Sequence, residues 1–332
     1  MTLFGGRKMS YKMFDTSKLV LKPLHERIHD VDLLKVIIPV DDSPPALKNK
    51  NIDAIASSMV KAKDIGSAAL LMYGGHVIRQ GCSLYMIELM KRGLITHLAT
   101  NGSGGIHDFE FSLIGETCES VARYVSEGQF GLWRETGLIN GILKEGVKDG
   151  LGAGEAIGRY IWDKKLPYRE YSVLANAYHL GIPCTIHISI GSDIIHEHDN
   201  ADGAVLGEAS YRDFLIYAET ITNLEGGVFL NFGSAVTGPE IYLKALAMAR
   251  NVAHQKGERI VDFTTAVFDI QPIPDEGYNI TPPKTDPRYY FRPWKTILAR
   301  TVADGGKSYY IQGDHKHTLP SLAKSAIKLD LT

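Results

Sequence analysis

Short apolar runs alternate with helix-spaced segments along most of the chain. The spacing predicts helices over 52–66 (IDAIASSMVKAKDIG) and 77–93, the second stopped by Gly93. Apolar runs over 67–75 (SAALLMYGG) and 94–100 (LITHLAT) predict strands. Residues 106–125 read as the next helix, which leaves Asn101-Gly102-Ser103-Gly104-Gly105 as a glycine loop between strand and helix. From about 125 to 180 the pattern is mostly helical. The βα rhythm then resumes, with strands over 182–192, 226–235 and 258–269 and helices over 211–224 and 238–257. Residues 270–294 are proline-rich and poorly periodic, as a lid or partner contact would be. Strands over 294–302 (WKTILARTV) and 307–313 (KSYYIQG) and a helix over 320–329 close the chain.

Strands alternating with helices imply βαβ units and a parallel sheet. Such strands are buried on both faces, so LLMY and LITHLA run apolar without alternation. The expected organisation is an N-terminal extension over 1–50, ending in the polar connection 41–51 (DDSPPALKNKN), and one α/β domain over 51–332.

Composition narrows the function classes. The formal net charge of −2 offers no basic surplus for nucleic acid or an anionic membrane. No apolar run approaches the ~20 residues that span a bilayer, and the N-terminus lacks the apolar core of a secretory signal. Cys82, Cys118 and Cys184 are far apart and odd in number, the usage of reduced thiols in a cytoplasmic protein.

Ligands of an open parallel sheet bind beyond the carboxyl ends of its strands. The expected strand ends carry Tyr73-Gly74-Gly75-His76, Thr100-Asn101-Gly102-Ser103, Gly191-Ser192-Asp193, Phe232-Gly233-Ser234-Ala235 and Thr264-Thr265-Ala266. Small residues let backbone amides approach a ligand, and helix N-termini favour phosphate, so the series points to a nucleotide. There is no strict G-x-G-x-x-G followed by an acid, so the usual dinucleotide fingerprint is absent. A second cluster, His187, Asp193, His196, His198, Asp199 and Asp202, has metal-ligand chemistry without a ligand spacing. If 196–198 is a strand, both rings share one face. Lys295 follows Trp294, and a lysine in apolar surroundings can act as a nucleophile. Asp202, Glu208, Glu240 and Asp269 are candidates for holding a cationic substrate.

The order and content of these loops resemble deoxyhypusine synthase over roughly 50–325. The closest stretch is Thr100–Asp108. The family's D-G-S-x-G-D is echoed by Asp202–Glu208, its glycine loop by Phe232–Glu240, its N-T-A by Thr264-Thr265-Ala266, its W-G-K-I by Trp294–Ile297 and its A-D-A-S by Gly313–Lys316. The resemblance implies a Rossmann-like sheet with helices on both faces, NAD as cofactor, a homotetramer and aminobutyl transfer from a polyamine through an imine on Lys295. It implies Trp294, Lys295, Asp202 and Glu240 as catalytic residues. It implies Gly74, Gly75, His76, Thr100, Asn101, Gly102, Ser103, Asp202, Gly233, Ser234, Thr265, Ala266 and Asp314 around NAD, with Asp108 anchoring the loop at the helix start. The family's acidic stretch that grips the polyamine has no counterpart in 269–284, and Glu240 or a neighbour replaces its histidine. The expected acceptor is therefore a small amine, as in making homospermidine, rather than the family's usual translation factor. Two alternatives stay open: lyase or hydrolase chemistry through the His/Asp cluster, and a nucleotide-binding protein without catalysis.

Overall fold

The computed structural model describes residues 11–40, 47, 49–274 and 276–332. Most of the connection expected over 41–51 lies outside them. Eight strands follow in chain order: β1 (Val31–Asp32), β2 (Ala69–Tyr73), β3 (His97–Asn101), β4 (Glu116–Thr117), β5 (Cys184–His187), β6 (Val228–Phe232), β7 (Thr264–Asp269) and β8 (Lys307–Gln312). Six form one parallel sheet in the order β5-β3-β2-β6-β7-β8, and β1 pairs antiparallel with β4.

The chain lays β2, β3 and β5 in one direction, returns to the far side of β2, and adds β6, β7 and β8 in the other. That is the doubly wound 3-2-1-4-5-6 order, with its switch point between β2 and β6. Helices cover both faces. One apolar core joins the sheet to helices that include Lys50–Asp64, Ser83–Lys91 and His315–Asp330. The other packs Gly203–Thr222, Thr237–Gln255 and Pro293–Arg300 on the opposite face. The fold is thus α/β and Rossmann-like.

Three elements differ from the sequence pattern, each for a packing reason. Asn101-Gly102-Ser103-Gly104-Gly105 is not a loop. Asn101 caps a helix, Gly102–Ile114, by accepting from the Gly104 amide at 3.1 Å. A Cβ on Gly102, Gly104 or Gly105 would stand 2.0, 2.0 and 2.7 Å from Asp193, Thr100 and Ile186, so these glycines seat the helix close to the sheet. Residues 293–300 (PWKTILAR) form a π-helix, because parallel β7 and β8 need a crossover between them. The last helix begins at His315, capped by Asp314, five residues before the expected start.

The described part of the first fifty residues packs on the sheet domain. Leu24 and Leu33 are buried, and the Arg27 guanidinium meets the Glu110 carboxylate in a bidentate pair at 2.9 and 2.7 Å.

Candidate functional site at the carboxyl edge of the sheet

The crevice opens where the strand order reverses. Gly74 follows β2, Gly233 follows β6, and a Cβ on Gly74 would lie 2.7 Å from the Gly233 carbonyl oxygen. Backbone therefore faces backbone at the switch point. Gly233 has φ +61°, a conformation that favours glycine. Gly75 touches the next loop, where its Cβ would meet Ser103 Oγ at 2.7 Å. His76 is exposed at the rim. The first amides of helix Gly102–Ile114 have no intrahelical partners, as at any helix start.

Beside this crevice lies a cleft of about 290 Å³ whose lining includes Arg79, Ser103, His107, Cys118 and Asp193. Asp193 follows β5 and presses against Gly102, and burial pushes its carboxyl up to about 6. The Arg79 Nε is buried without a hydrogen-bond partner. His107 is pushed down to about 4 by burial, so its ring is neutral at pH 7.

The expected cofactor residues divide. Gly74, Gly75, His76, Gly102, Ser103 and Gly233 gather at the switch point and its neighbouring turn. Asn101 and Asp314 serve as caps, and Ser234 bonds into the first turn of Thr237–Gln255. Ser234 Oγ accepts from the Gly238 amide at 2.9 Å, and Asp314 accepts from the Lys316 amide at 3.3 Å. Thr100 is fully buried and donates to the Tyr73 carbonyl, tying β3 to β2. Thr265 and Ala266 lie early in β7, which runs on to Asp269. The strand ends at Asp269 as expected, so these residues lie within it rather than after it, and Thr265 donates to the Ile297 carbonyl. Asp108 does not anchor its own loop. It accepts from Ser172 Oγ at 2.5 Å and from the Val173 amide at 2.8 Å, starting a helix 64 residues away.

The expected catalytic set is dispersed. Asp202 is exposed and caps Gly203–Thr222. Glu240 pairs with Arg292 and Lys244. Glu208 pairs with Arg212. Trp294 does not wall in Lys295. Its indole is buried and donates to the Ile280 carbonyl at 3.1 Å, because neighbours on a helix point apart. The Lys295 ammonium lies over the rings of Tyr289 and Tyr290, at 4.3 and 5.6 Å, a cation–π arrangement.

The His/Asp cluster is also dispersed. Residues 194–197 form a short 3₁₀ turn rather than a strand. His196 Nδ1 accepts from the Gly191 and Asp193 amides, and His198 Nε2 meets the Gly131 carbonyl oxygen. Among the described residues no group of three or more His, Cys, Asp or Glu side chains could hold a metal ion. Cys82, Cys118 and Cys184 are free thiols. No described helix is long and apolar enough to cross a membrane.

His187 belongs to a buried polar chain. Thr185 Oγ1 lies 3.0 Å from His187 Nε2 and 3.1 Å from His97 Nε2. Burial pushes both rings down to about 3, and in His97 the neighbouring His187 adds to the effect. Both are neutral when folded and bind protons when unfolded, so stability is lost as pH falls from the ordinary histidine range towards about 3. The slope is about 1.4 kcal/mol per pH unit for each ring. Urea midpoints between pH 7 and pH 4 should fall more gently in His187→Gln than in the wild type. Equal slopes would contradict the neutral-ring assignment.

Sequence reasoning missed Arg79, His107 and His315. Arg79 sits on a helix face that carried no motif, and His107 lay within Thr100–Asp108 without being given a role. His315 lay within Gly313–Lys316, read as the counterpart of the family's A-D-A-S.

No family model matches the sequence, and no curated protein does. Solved structures share its fold. AgrE, in a ternary complex with ornithine and NAD⁺, aligns at TM-score 0.52 and 14% identity, covering 87% of this chain and 34% of AgrE. ArgZ, an arginine dihydrolase from the ornithine–ammonia cycle in Cyanobacteria, aligns at 0.50 and 15%, covering 85% and 33%. A conserved protein of Methanococcus maripaludis S2 assigned to the LOR/SDH type aligns at 0.50 and 15%, covering 86% and 74%. The chain thus spans about a third of the length of AgrE and ArgZ. A protein of Entamoeba histolytica assigned as a deoxyhypusine synthase superposes only loosely, at TM-score 0.42 and 8% identity over 85% of this chain and 91% of that one. That is too coarse to carry an argument.

Proposed function

We propose that the protein is an enzyme that binds NAD⁺ across the switch-point crevice and oxidises an amine there. The observation that carries the reading is the approach of Gly74 to Gly233, which makes the crevice wall from backbone at the place where this strand order takes dinucleotides. The donor set fits. Amides of Gly75, Gly102 and Ser103 suit phosphate oxygens, and the desolvated Asp193 carboxylate suits sugar hydroxyls. AgrE, of the same fold, was crystallised with NAD⁺ and the amine ornithine. When bound, NAD⁺ supplies a hydride acceptor.

The finer form of the reading is aminobutyl transfer through an imine on Lys295 in a homotetramer. Its support is the resemblance in the loops. The position of Lys295 over Tyr289 adds nothing to it.

Calorimetric titration with NAD⁺, followed by NADH absorbance with spermidine, putrescine and ornithine, tests the proposal. We expect saturable NAD⁺ binding and NADH formation with at least one amine. Absence of binding at millimolar NAD⁺ would sink the reading. Borohydride trapping followed by mass analysis of Lys295 tests the finer form, and an unmodified lysine during turnover would remove it.

A further inference from the structure

We propose that His315 accepts the substrate's ammonium proton, through the ring nitrogen that stands beside Gly233. The proposal rests on amine oxidation in the crevice and adds to it the group that readies the amine. A protonated amine has no lone pair with which to expel a hydride, so the site needs a proton acceptor. The Lys295 side chain is stacked over Tyr289, and Asp193 lies on the far half of the sheet, beyond β3.

His315 reaches the crevice because Asp314 starts the last helix directly after β8. The ring is 5% exposed and packs edgewise on Phe232 and His76, at centroid distances of 6.0 and 6.5 Å. Nδ1 is buried without a hydrogen-bond partner. Nε2 stands 2.5 Å from where a Cβ on residue 233 would lie, so glycine there leaves this nitrogen open to the crevice. The ionisable groups facing the ring are His76 from the turn after β2, Asp269 from the end of β7 and its own cap, Asp314. Burial is the largest influence and lowers the imidazole from its ordinary value, Asp269 and Asp314 raise it, and His76 lowers it further. The ring therefore meets an ammonium group in its neutral form at pH 7. In the step, one ammonium N–H bond breaks and the proton bonds to the Nε2 lone pair, leaving a neutral amine and an imidazolium. The exposed His76 marks the way out to solvent.

His315→Gln and His315→Ala, assayed with NAD⁺ and the same three amines, test the assignment. Turnover should fall by about 10²–10⁴ at pH 7 while NAD⁺ affinity is retained. The deficit should shrink as pH rises and solvent supplies free amine. Independently of turnover, the ring ¹⁵N signals of His315 in the wild-type protein should shift on adding spermidine, putrescine or ornithine. Variant turnover within a factor of about three of wild type overturns the inference. So does a deficit that is constant with pH, or one that matches a loss of NAD⁺ affinity. Unmoved His315 ring signals with all three amines also overturn it, even if both variants fail to fold. A wild-type protein that fails to bind NAD⁺, or binds it without oxidising any of the three, removes the underlying reading and the inference with it.

Discussion

Gly74→Ala should weaken NAD⁺ binding at least ~10-fold, about 1.4 kcal/mol, while the protein stays folded. Gly74 has φ −89° and ψ 162°, extended backbone that alanine adopts without strain. The effect is therefore steric. The new methyl would stand 2.7 Å from the Gly233 carbonyl oxygen and 3.3 Å from its carbon, both backbone atoms between β6 and the following helix. Neither can rotate away as a flexible side chain would. The two strand ends must part, and the amides that face the crevice move with them. Gly207→Ala is the control. A Cβ there meets nothing within 4 Å, and the residue lies inside Gly203–Thr222. Alanine at that position should leave binding unchanged and stabilise the helix by up to ~1 kcal/mol. Calorimetric titration of the three proteins reads both results. Equal NAD⁺ affinity for Gly74→Ala and wild type would place the cofactor elsewhere.

Glu110→Ala should cost about 3–5 kcal/mol of stability. Glu110 and Arg27 are almost fully buried, and each carboxylate oxygen takes one guanidinium nitrogen and one threonine hydroxyl. Oε1 accepts from Arg27 and Thr136, and Oε2 from Arg27 and Thr117. Burial pushes the Glu110 carboxyl up, but the guanidinium and the hydroxyls outweigh it and hold it below its ordinary range. The stabilisation is therefore present above the ordinary carboxyl range and lost as pH falls through the lower folded value. Removing the carboxylate leaves a buried guanidinium with no counter-charge. Arg27→Met combined with Glu110→Leu should recover most of the loss, because a buried pair exchanged for apolar side chains of similar size is often neutral. Urea unfolding of the single and double variants decides between the two. A single variant within ~1 kcal/mol of wild type would show that the pair is hydrated.

The sheet was legible because parallel strands are apolar on both faces, and LLMY and LITHLA carry that mark without help from distant residues. The crossover at 293–300 was not legible. Its composition, with Trp294, Thr296 and Ile297, suits a strand, and only the parallel pairing of β7 with β8 demands a crossover. Gly74 and Gly233 could be named from their places after apolar runs, while their contact depends on a strand order no local pattern encodes. The glycines at 102, 104 and 105 show the reverse case. Glycine is common both in phosphate loops and where a helix must sit close to a strand, and the approach of Thr100, Ile186 and Asp193 shows the second need at these positions. Lys295 was singled out by its neighbour in sequence. Its neighbours in space are tyrosines five and six residues earlier.

Two buried carboxylates hold the long crossover between β3 and β5. Asp108 receives the start of Val173–Leu180, and Asp213 accepts from the Gly154 and Ile186 amides, which fixes the helix Ala153–Asp163 and the strand β5 from the opposite side. Neither anchor is local, with sequence separations of 65 and 59 residues. The crossover helices therefore cannot complete their contacts until the helices that bear these acids, Gly102–Ile114 and Gly203–Thr222, are in place. In kinetic terms the expected outcome is that this segment docks late in folding and opens as one cooperative unit together with the edge strand β5, which amide hydrogen exchange checks as a shared protection level.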